Sequence, residues 1–338
     1  MTSSTATGLA LTILAGMMSG NCMLPTKFVR SWKWEHVWSV FSLVSLVILP
    51  WGLALSLVGH LADVYRSLSF SQFAVPVLFG AGWGIAQILF GISVRRLGLG
   101  IAYSIIVGLG AVLGTLVPFF AGQRQAFDRS VVALLLGGIV LMVLGIALTA
   151  WSGHLREVST GARSSELQGS RYVAAIALAI LCGVMAPMLN YSFAFGQGIA
   201  RHAVVVGNSP VLAAYAVWPI GLAGGFIPNA AYSIYLLARH RSWGGFRAPF
   251  PDVFWSSLMA ALWMGAFALY GMSAVFFGAL GTSIGWGLFQ TFMIMAATLS
   301  GILTGEWRGA SGRARVCLGA GLALLVFATA LLTVSNRN

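Results

Sequence analysis

The sequence predicts an all-α membrane protein with ten transmembrane helices in two inverted five-helix repeats. Composition is the first observation, because 59% of the 338 residues are apolar and 8% are charged, against about 25% charged in soluble domains. Segment length is the second, because ten apolar stretches are each long enough to span a bilayer, which takes about 20 residues. None shows the alternating pattern of a barrel strand. A soluble enzyme is excluded, since so few charges could not cover its surface.

The ten apolar segments follow one another with short connections. They cover residues 6–26, 37–59, 72–94, 98–121, 131–151, 171–195, 209–238, 253–277, 280–304 and 314–334. No basic residue precedes the first segment, so it is predicted to stay as a helix and not to be a cleaved signal peptide. The longest polar connection, 152–170, is predicted to link a first repeat at 1–151 to a second repeat at 171–338.

The distribution of basic residues predicts the orientation in the membrane. Fourteen of the 19 Lys and Arg lie in the connections that follow odd-numbered segments, and basic connections usually face the cytoplasm. Both termini are therefore predicted outside the cytoplasm. The basic residues occur singly between apolar runs, so the partner is predicted to be the lipid bilayer and not a nucleic acid.

Short matches in the same helix order predict an internal repeat. They pair Gly16 with Gly183, Pro50 with Pro219, Trp83 with Trp263 and Leu136 with Leu318. Each match alone is weak, and chance similarity is the alternative. Five is an odd number of spans, so a second repeat must insert upside down. Inverted repeats are a frequent transporter design with the substrate near the midplane.

The chain shows no catalytic motif and no metal-binding spacing. The five His lie in connections or at segment ends, and the three Cys lie in apolar segments without a paired spacing. No catalytic residue, metal site or cofactor is therefore predicted. Residues 253–305 contain no charged residue and no His, which predicts a neutral substrate, because a charge at this depth would need a partner.

Uncharged polar and aromatic side chains inside the spans are the predicted substrate-binding residues. Amides both donate and accept hydrogen bonds, as sugar hydroxyls require, and an indole can cover the C–H face of a sugar ring while its N–H remains free. The alternative is hydrogen bonding and packing between helices. The predicted residues are Asn21, Trp83, Gln87, Tyr103, Asn190, Trp263, Tyr270, Trp286 and Gln290.

Several stretches resemble the bacterial L-rhamnose–proton symporter family of the drug/metabolite transporter superfamily. The resemblance rests on Trp32-x-Trp34-Glu35-x-x-Trp38-Ser39-Val40, Ile48-Leu49-Pro50-Trp51, Phe79-Gly80-Ala81-x-Trp83-Gly84-Ile85 and Glu306-Trp307. It implies ten helices in the bacterial inner membrane and import of a rhamnose-like 6-deoxyhexose by alternating access. The alternative function is export of small metabolites or amino acids, a common task in that superfamily.

The resemblance also implies proton symport, which needs a group that titrates along the pathway. No carboxylate or imidazole lies inside the predicted spans, so a coupling proton would need a peripheral acid, for which Glu35 and Glu306 are the candidates. The basic residues between 27 and 33 are expected to keep Glu35 ionised, and Arg308 is expected to do the same for Glu306. Proton-coupled and facilitated transport both stay open at this point.

Overall fold

The structure is a computed structural model that describes residues 3–122, 129–159, 161, 170–247 and 250–335. Ten helical segments within these ranges are long and apolar enough to cross a membrane, as predicted, and the ranges contain no strand. The segments are α1 (Ser3–Phe28), α2 (Trp34–Leu57), α3 (Phe70–Leu97), α4 (Ile101–Ala121), α5 (Arg129–Ser159), α6 (Ser170–Val205), α7 (Pro210–Arg239), α8 (Phe250–Phe276), α9 (Gly278–Leu303) and α10 (Gly312–Ser335).

α5 runs further than the apolar pattern predicts. It continues without a break to Ser159, so residues 152–159 of the predicted linker are helical. Apart from Gly161, the rest of that linker lies outside the described residues.

α6 also extends past its predicted end at residue 195. Its last part is a separate helix, Gln197–Val205, that carries Arg201 and His202 and therefore looks like a polar connection in the sequence. Ile199 and Ala203 are nonetheless fully buried on its inner face. The segment is amphipathic, and packing of its apolar face makes it helical.

Glycines allow α3 and α7 to cross in backbone contact. A methyl group added to Gly80 would lie 1.8 Å from the carbonyl oxygen of Gly221, and one added to Gly84 would lie 2.5 Å from that of Gly225. Small residues are a usual way for membrane helices to approach closely. The crossing also brings the Trp83 ring against the backbone of Gly225, which positions one of the predicted site residues.

The helices form a ring with one helix pair outside it. Contacts join neighbours in the order α8, α1, α9, α4, α6, α3, α7, α2 and back to α8. α5 and α10 pack along each other at the side of this ring, where they reach α4 and α9. The predicted site residues all lie on helices of the ring.

Candidate functional site

Aromatic side chains connect α3, α8 and α9 across the ring. Trp263, Phe267 and Tyr270 share one face of α8 because they are spaced four and three residues apart. Trp83 stacks on Trp263 with ring centroids 5.3 Å apart, and Trp286 meets Tyr270 edge to face at 5.8 Å. Four predicted site residues therefore belong to one aromatic layer.

Four tryptophans of the interior differ in the surroundings of their indole N–H groups; they are Trp83, Trp218, Trp263 and Trp286. That of Trp286 donates to the carbonyl oxygen of Gly110 at 3.1 Å, whereas that of Trp218 is sealed from solvent without an acceptor. Those of Trp83 and Trp263 donate to no described protein group, yet they are not sealed, although both side chains are buried. These two donors are therefore available to a small polar molecule.

Two glutamine amides are also free of protein partners. Gln87 lies one turn beyond Trp83 on α3, and Gln290 lies one turn beyond Trp286 on α9. Neither amide forms a hydrogen bond with the described residues, and the atoms of the Gln290 amide are not sealed although the residue is only 7% exposed. A polar group at such depth without a protein partner costs free energy, so these amides are suited to bond water or a substrate.

In contrast, both polar atoms of the Asn190 amide form hydrogen bonds within the protein. Its Nδ2 donates to the carbonyl oxygens of Gly114 and Thr282, both at 2.8 Å, and its Oδ1 accepts the hydroxyl of Tyr270. Asn190 is 0% exposed. This network ties α4, α6, α8 and α9 together, so Asn190 and Tyr270 have a structural role in this conformation.

Asn21 and Tyr103 lie in helix contacts. The amide of Asn21 donates to the carbonyl oxygen of Met17 at 2.7 Å and accepts the hydroxyl of Ser300, which joins α1 to α9. Tyr103 packs against the apolar cluster formed by α4, α5, α9 and α10. Among the described residues, no hydrogen bond or ring contact joins Asn21 or Tyr103 to the stacked indoles.

Glu35 has different neighbours from those expected. It lies in the first turn of α2 and is 3% exposed, and its Oε1 accepts the hydroxyl of Ser242 at 2.8 Å and lies 3.1 Å from Nδ1 of His240. Of the expected neighbours, Lys27 instead pairs with Glu306, and the side-chain partners of the Glu35 carboxylate within the described residues are Ser242 and His240. The sequence could not show this pairing, since His240 is 205 residues away.

Glu306 is a partly exposed member of an ion-pair group. Its Oε1 accepts from Nζ of Lys27 at 2.7 Å, and its Oε2 lies 3.5 Å from the guanidinium of Arg156. The hydrogen bond from Lys27, with the charges of both cations, lowers the pKa of Glu306 below its usual range. The expected partner Arg308 instead lies beside Gly305.

Asp252 is a buried acid that the sequence analysis did not select. It is 1% exposed and accepts the backbone N–H groups of Arg30, Ser31 and Trp32 at 2.8 to 3.0 Å. The signal available in the sequence was an acid at the start of an apolar segment in a charge-poor chain. Asp252 and Glu35 both connect the chain around residues 30–36 to the α7–α8 region, so they close this end of the ring.

Within the described part of the chain, no three His, Cys, Asp or Glu residues are placed to hold a metal ion. The three Cys are free. The site is thus a set of uncharged donors and acceptors at the centre of the ring, with two acids at one end.

Comparison with known proteins shows which transporters this chain resembles. Residues 1–336 match the family model of the L-rhamnose-proton symport protein. A protein named L-rhamnose-proton symporter from Escherichia coli O17:K52:H18 is 26% identical over 335 residues, covering 96% of each chain. One of the same name from Klebsiella pneumoniae is 27% identical over 325 residues, covering 93% of this chain and 94% of the other. A solved crystal structure is similar in fold, with a TM-score of 0.52 and 16% sequence identity. The match covers 99% of this chain and 97% of the chain in that crystal structure.

Proposed function

The chain belongs to the L-rhamnose–proton symport protein family, and on this basis we propose that it imports L-rhamnose or a closely related neutral monosaccharide together with a proton. The observation that carries the proposal is the match of the family model to residues 1–336. The relatives carry the same substrate and coupling ion in their names. A family of transporters makes the chain a transporter and not an enzyme.

The proposed mechanism is alternating access between two inverted repeats. Helix pairing supports this. In a repeat of five helices, each of α1 to α5 corresponds to the helix five positions later, α6 to α10. Under this exchange the α1–α8, α1–α9 and α3–α7 contacts become α6–α3, α6–α4 and α8–α2. All six contacts occur in the structure. The contacts of α2 with α7, α4 with α9 and α5 with α10 map onto themselves. Rocking of one repeat against the other would then expose the centre to each side in turn.

The proposed sugar site is built from four side chains whose polar atoms have no hydrogen-bond partner among the described residues. The N–H groups of Trp83 and Trp263 would donate to sugar hydroxyls, and the amides of Gln87 and Gln290 would donate and accept. None carries a charge, which suits a neutral substrate. The stacked indoles cover one face of each other, so a sugar would bind at their N–H edges or separate the rings.

The other predicted site residues take supporting roles in this proposal. Trp286, Asn190 and Tyr270 would hold α9, α6 and α8 in the positions that the four binding residues need, because their polar groups bond to the protein. That Asn21 and Tyr103 contact the substrate stays a prediction.

Glu35 is the proposed coupling acid, and Glu306 is not. Glu35 is buried at a junction between the two halves and is paired with His240 and Ser242, which hold it only weakly once its carboxylate is neutralised. Protonation of Glu35 would therefore loosen this junction and favour opening at this end of the ring. Glu306 is partly exposed and is paired with two cations, Lys27 and Arg156, so its protonation would not loosen a buried junction.

The proposed location is the bacterial inner membrane, with the connections after odd-numbered helices in the cytoplasm and both termini outside. The fourteen basic residues in those connections support the orientation. In this arrangement Glu35, His240, Asp252 and Glu306 lie at the cytoplasmic end, where a proton would be released after import.

Uptake into proteoliposomes tests the function. Purified protein is reconstituted, the outside is made acidic, and radiolabelled L-rhamnose is followed beyond equilibrium. Accumulation that a protonophore abolishes is expected. Rhamnose exchange without accumulation would contradict coupling, and a failure to exchange rhamnose while amino acids or other metabolites exchange would favour the exporter alternative.

A further inference from the structure

A cleft between α9 and α10 combines an apolar wall with a cationic mouth. Its volume is about 460 Å³, and its lining includes Ile302, Leu318 and Leu322, with Trp307, Arg308 and Arg315. The arginines lie between the end of α9 at Leu303 and the first turn of α10. Leu322 is ten residues along α10, so the apolar wall extends about 15 Å into the membrane from the helix start.

The two arginines of this cleft have no acidic partner in the described ranges of the chain. No carboxylate among the described residues pairs with Arg308 or Arg315, and both side chains are exposed. The nearest acid in sequence, Glu306, is already bound by Lys27 and Arg156. The mouth of the cleft therefore carries uncompensated positive charge, which the N-terminus of α10 increases.

Trp307 lines the mouth of the cleft and indicates its depth in the membrane. The guanidinium of Arg156 lies 5.2 Å from the centre of its ring, so Trp307 is held at the end of α9 where aromatic residues of membrane proteins meet the headgroup layer. The cleft thus has charge at headgroup depth and apolar side chains at acyl-chain depth.

We propose that this cleft binds an anionic phospholipid. Its phosphate would lie between Arg308 and Arg315, whose planar guanidinium groups suit a phosphate better than a point charge does. One acyl chain would lie along Ile302, Leu318 and Leu322. A basic pocket between membrane helices is a known arrangement for acidic headgroups. The proposal does not rest on the sugar-transport function or on the orientation in the membrane.

Thermal unfolding of the detergent-solubilised chain tests the proposal. Phosphatidylglycerol is expected to raise the melting midpoint and phosphatidylcholine is not, because a ligand that binds the native state stabilises it. In Arg308→Gln/Arg315→Gln, about tenfold more phosphatidylglycerol is expected for the same rise, since charge-assisted contacts to phosphate are lost. Arg313→Gln, an exposed neighbour that does not line the cleft, is the matched control and is expected to respond as the parent does.

Three outcomes would overturn the proposal. These are an equal response to phosphatidylcholine, a parent-like response of the double variant, and an equal rise with inorganic phosphate alone, which would indicate an anion site without a lipid. The single variants Arg308→Gln and Arg315→Gln are measured as well, so a folding defect of the double variant leaves the test intact. Sugar uptake is not a readout here, so failure of this proposal and failure of the transport function are separate results.

Discussion

Trp83 of α3 stacks on Trp263 of α8, with ring centroids 5.3 Å apart and ring planes inclined by 25°. The two residues are 180 positions apart in the chain and come from its two halves. Neither indole N–H group has an acceptor among the residues that the structure describes. The stack therefore joins the proposed repeats and presents two free donors at the centre of the ring.

Trp83→Phe should weaken rhamnose binding about tenfold, the effect of losing one hydrogen bond of about 1.4 kcal/mol. Phenylalanine keeps an aromatic ring on Trp263 and removes the N–H. Calorimetric titration of the purified variant measures the change. Trp218→Phe is the control, because the Trp218 N–H is sealed without an acceptor, and its affinity should equal that of the parent. Equal affinity in both variants would exclude Trp83 as a donor to the sugar.

Gln87→Leu and Gln290→Leu should each lower rhamnose affinity about tenfold while leaving the melting temperature within a few degrees of the parent. Neither amide has a hydrogen bond to the described part of the chain that it could lose, so the leucines should not destabilise the fold. Binding and thermal unfolding are measured on the same samples. Gln197→Leu is the matched control, since its amide donates to the carbonyl oxygen of Phe193 at 3.1 Å, and it should not alter affinity. Unchanged affinity in both glutamine variants would remove them from the site.

Asn190→Leu should destabilise the protein by about 2–4 kcal/mol, because the carbonyl oxygens of Gly114 and Thr282 and the hydroxyl of Tyr270 lose their partner inside the bilayer. Thermal unfolding in detergent should show this as a melting temperature several degrees lower. Rhamnose affinity of the folded variant should change less than about threefold. If stability is intact and binding is lost, Asn190 contacts the sugar directly, as the sequence analysis predicts.

Glu35→Gln should abolish proton-driven accumulation and leave rhamnose exchange at equal pH largely intact. The amide keeps an acceptor for Ser242 and His240 but cannot take up a proton in the same way. Both activities are measured in proteoliposomes. Glu306→Gln is the control, and it should retain accumulation. Loss of accumulation in Glu306→Gln alone would transfer the coupling role to the Lys27–Glu306 pair.

The Lys27–Glu306 pair should contribute stability that acid removes. The pKa of Glu306 is lowered in the folded protein, so its contribution is present above the pKa of an unfolded glutamate, about 4.3, and is lost as the pH falls through the folded value. The side chains are 48% and 43% exposed, so the contribution at neutral pH should be below about 1 kcal/mol. Melting curves of the parent and Lys27→Met should differ slightly at neutral pH and converge at strongly acidic pH. A difference that grows on acidification would contradict this pairing.

The ten membrane spans could be predicted from the sequence alone. A helix that crosses a bilayer must satisfy its backbone hydrogen bonds internally and present about 20 apolar residues to the lipid. Because this requirement concerns one segment at a time, spanning segments can be recognised in the sequence without knowing which helices pack against them. The apolar pattern is less accurate for the positions of helix ends. α5 continues through residues 152–159 and α6 through Gln197–Val205, because those turns are polar on one face and are kept helical by contacts that the pattern does not show.

Which polar side chains have hydrogen-bond partners could be seen only once the helices were packed together. Asn190, Gln87 and Gln290 are equivalent in the sequence, since each is an amide inside an apolar segment. Within the described residues, the fold gives Asn190 three protein partners and gives the two glutamines none. Glu35 likewise lies near three basic residues in the chain but pairs with His240. Hydrogen bonds and ion pairs act over a few ångströms in space, and residues between 76 and 205 positions apart supply the partners, so these assignments depend on how the helices pack.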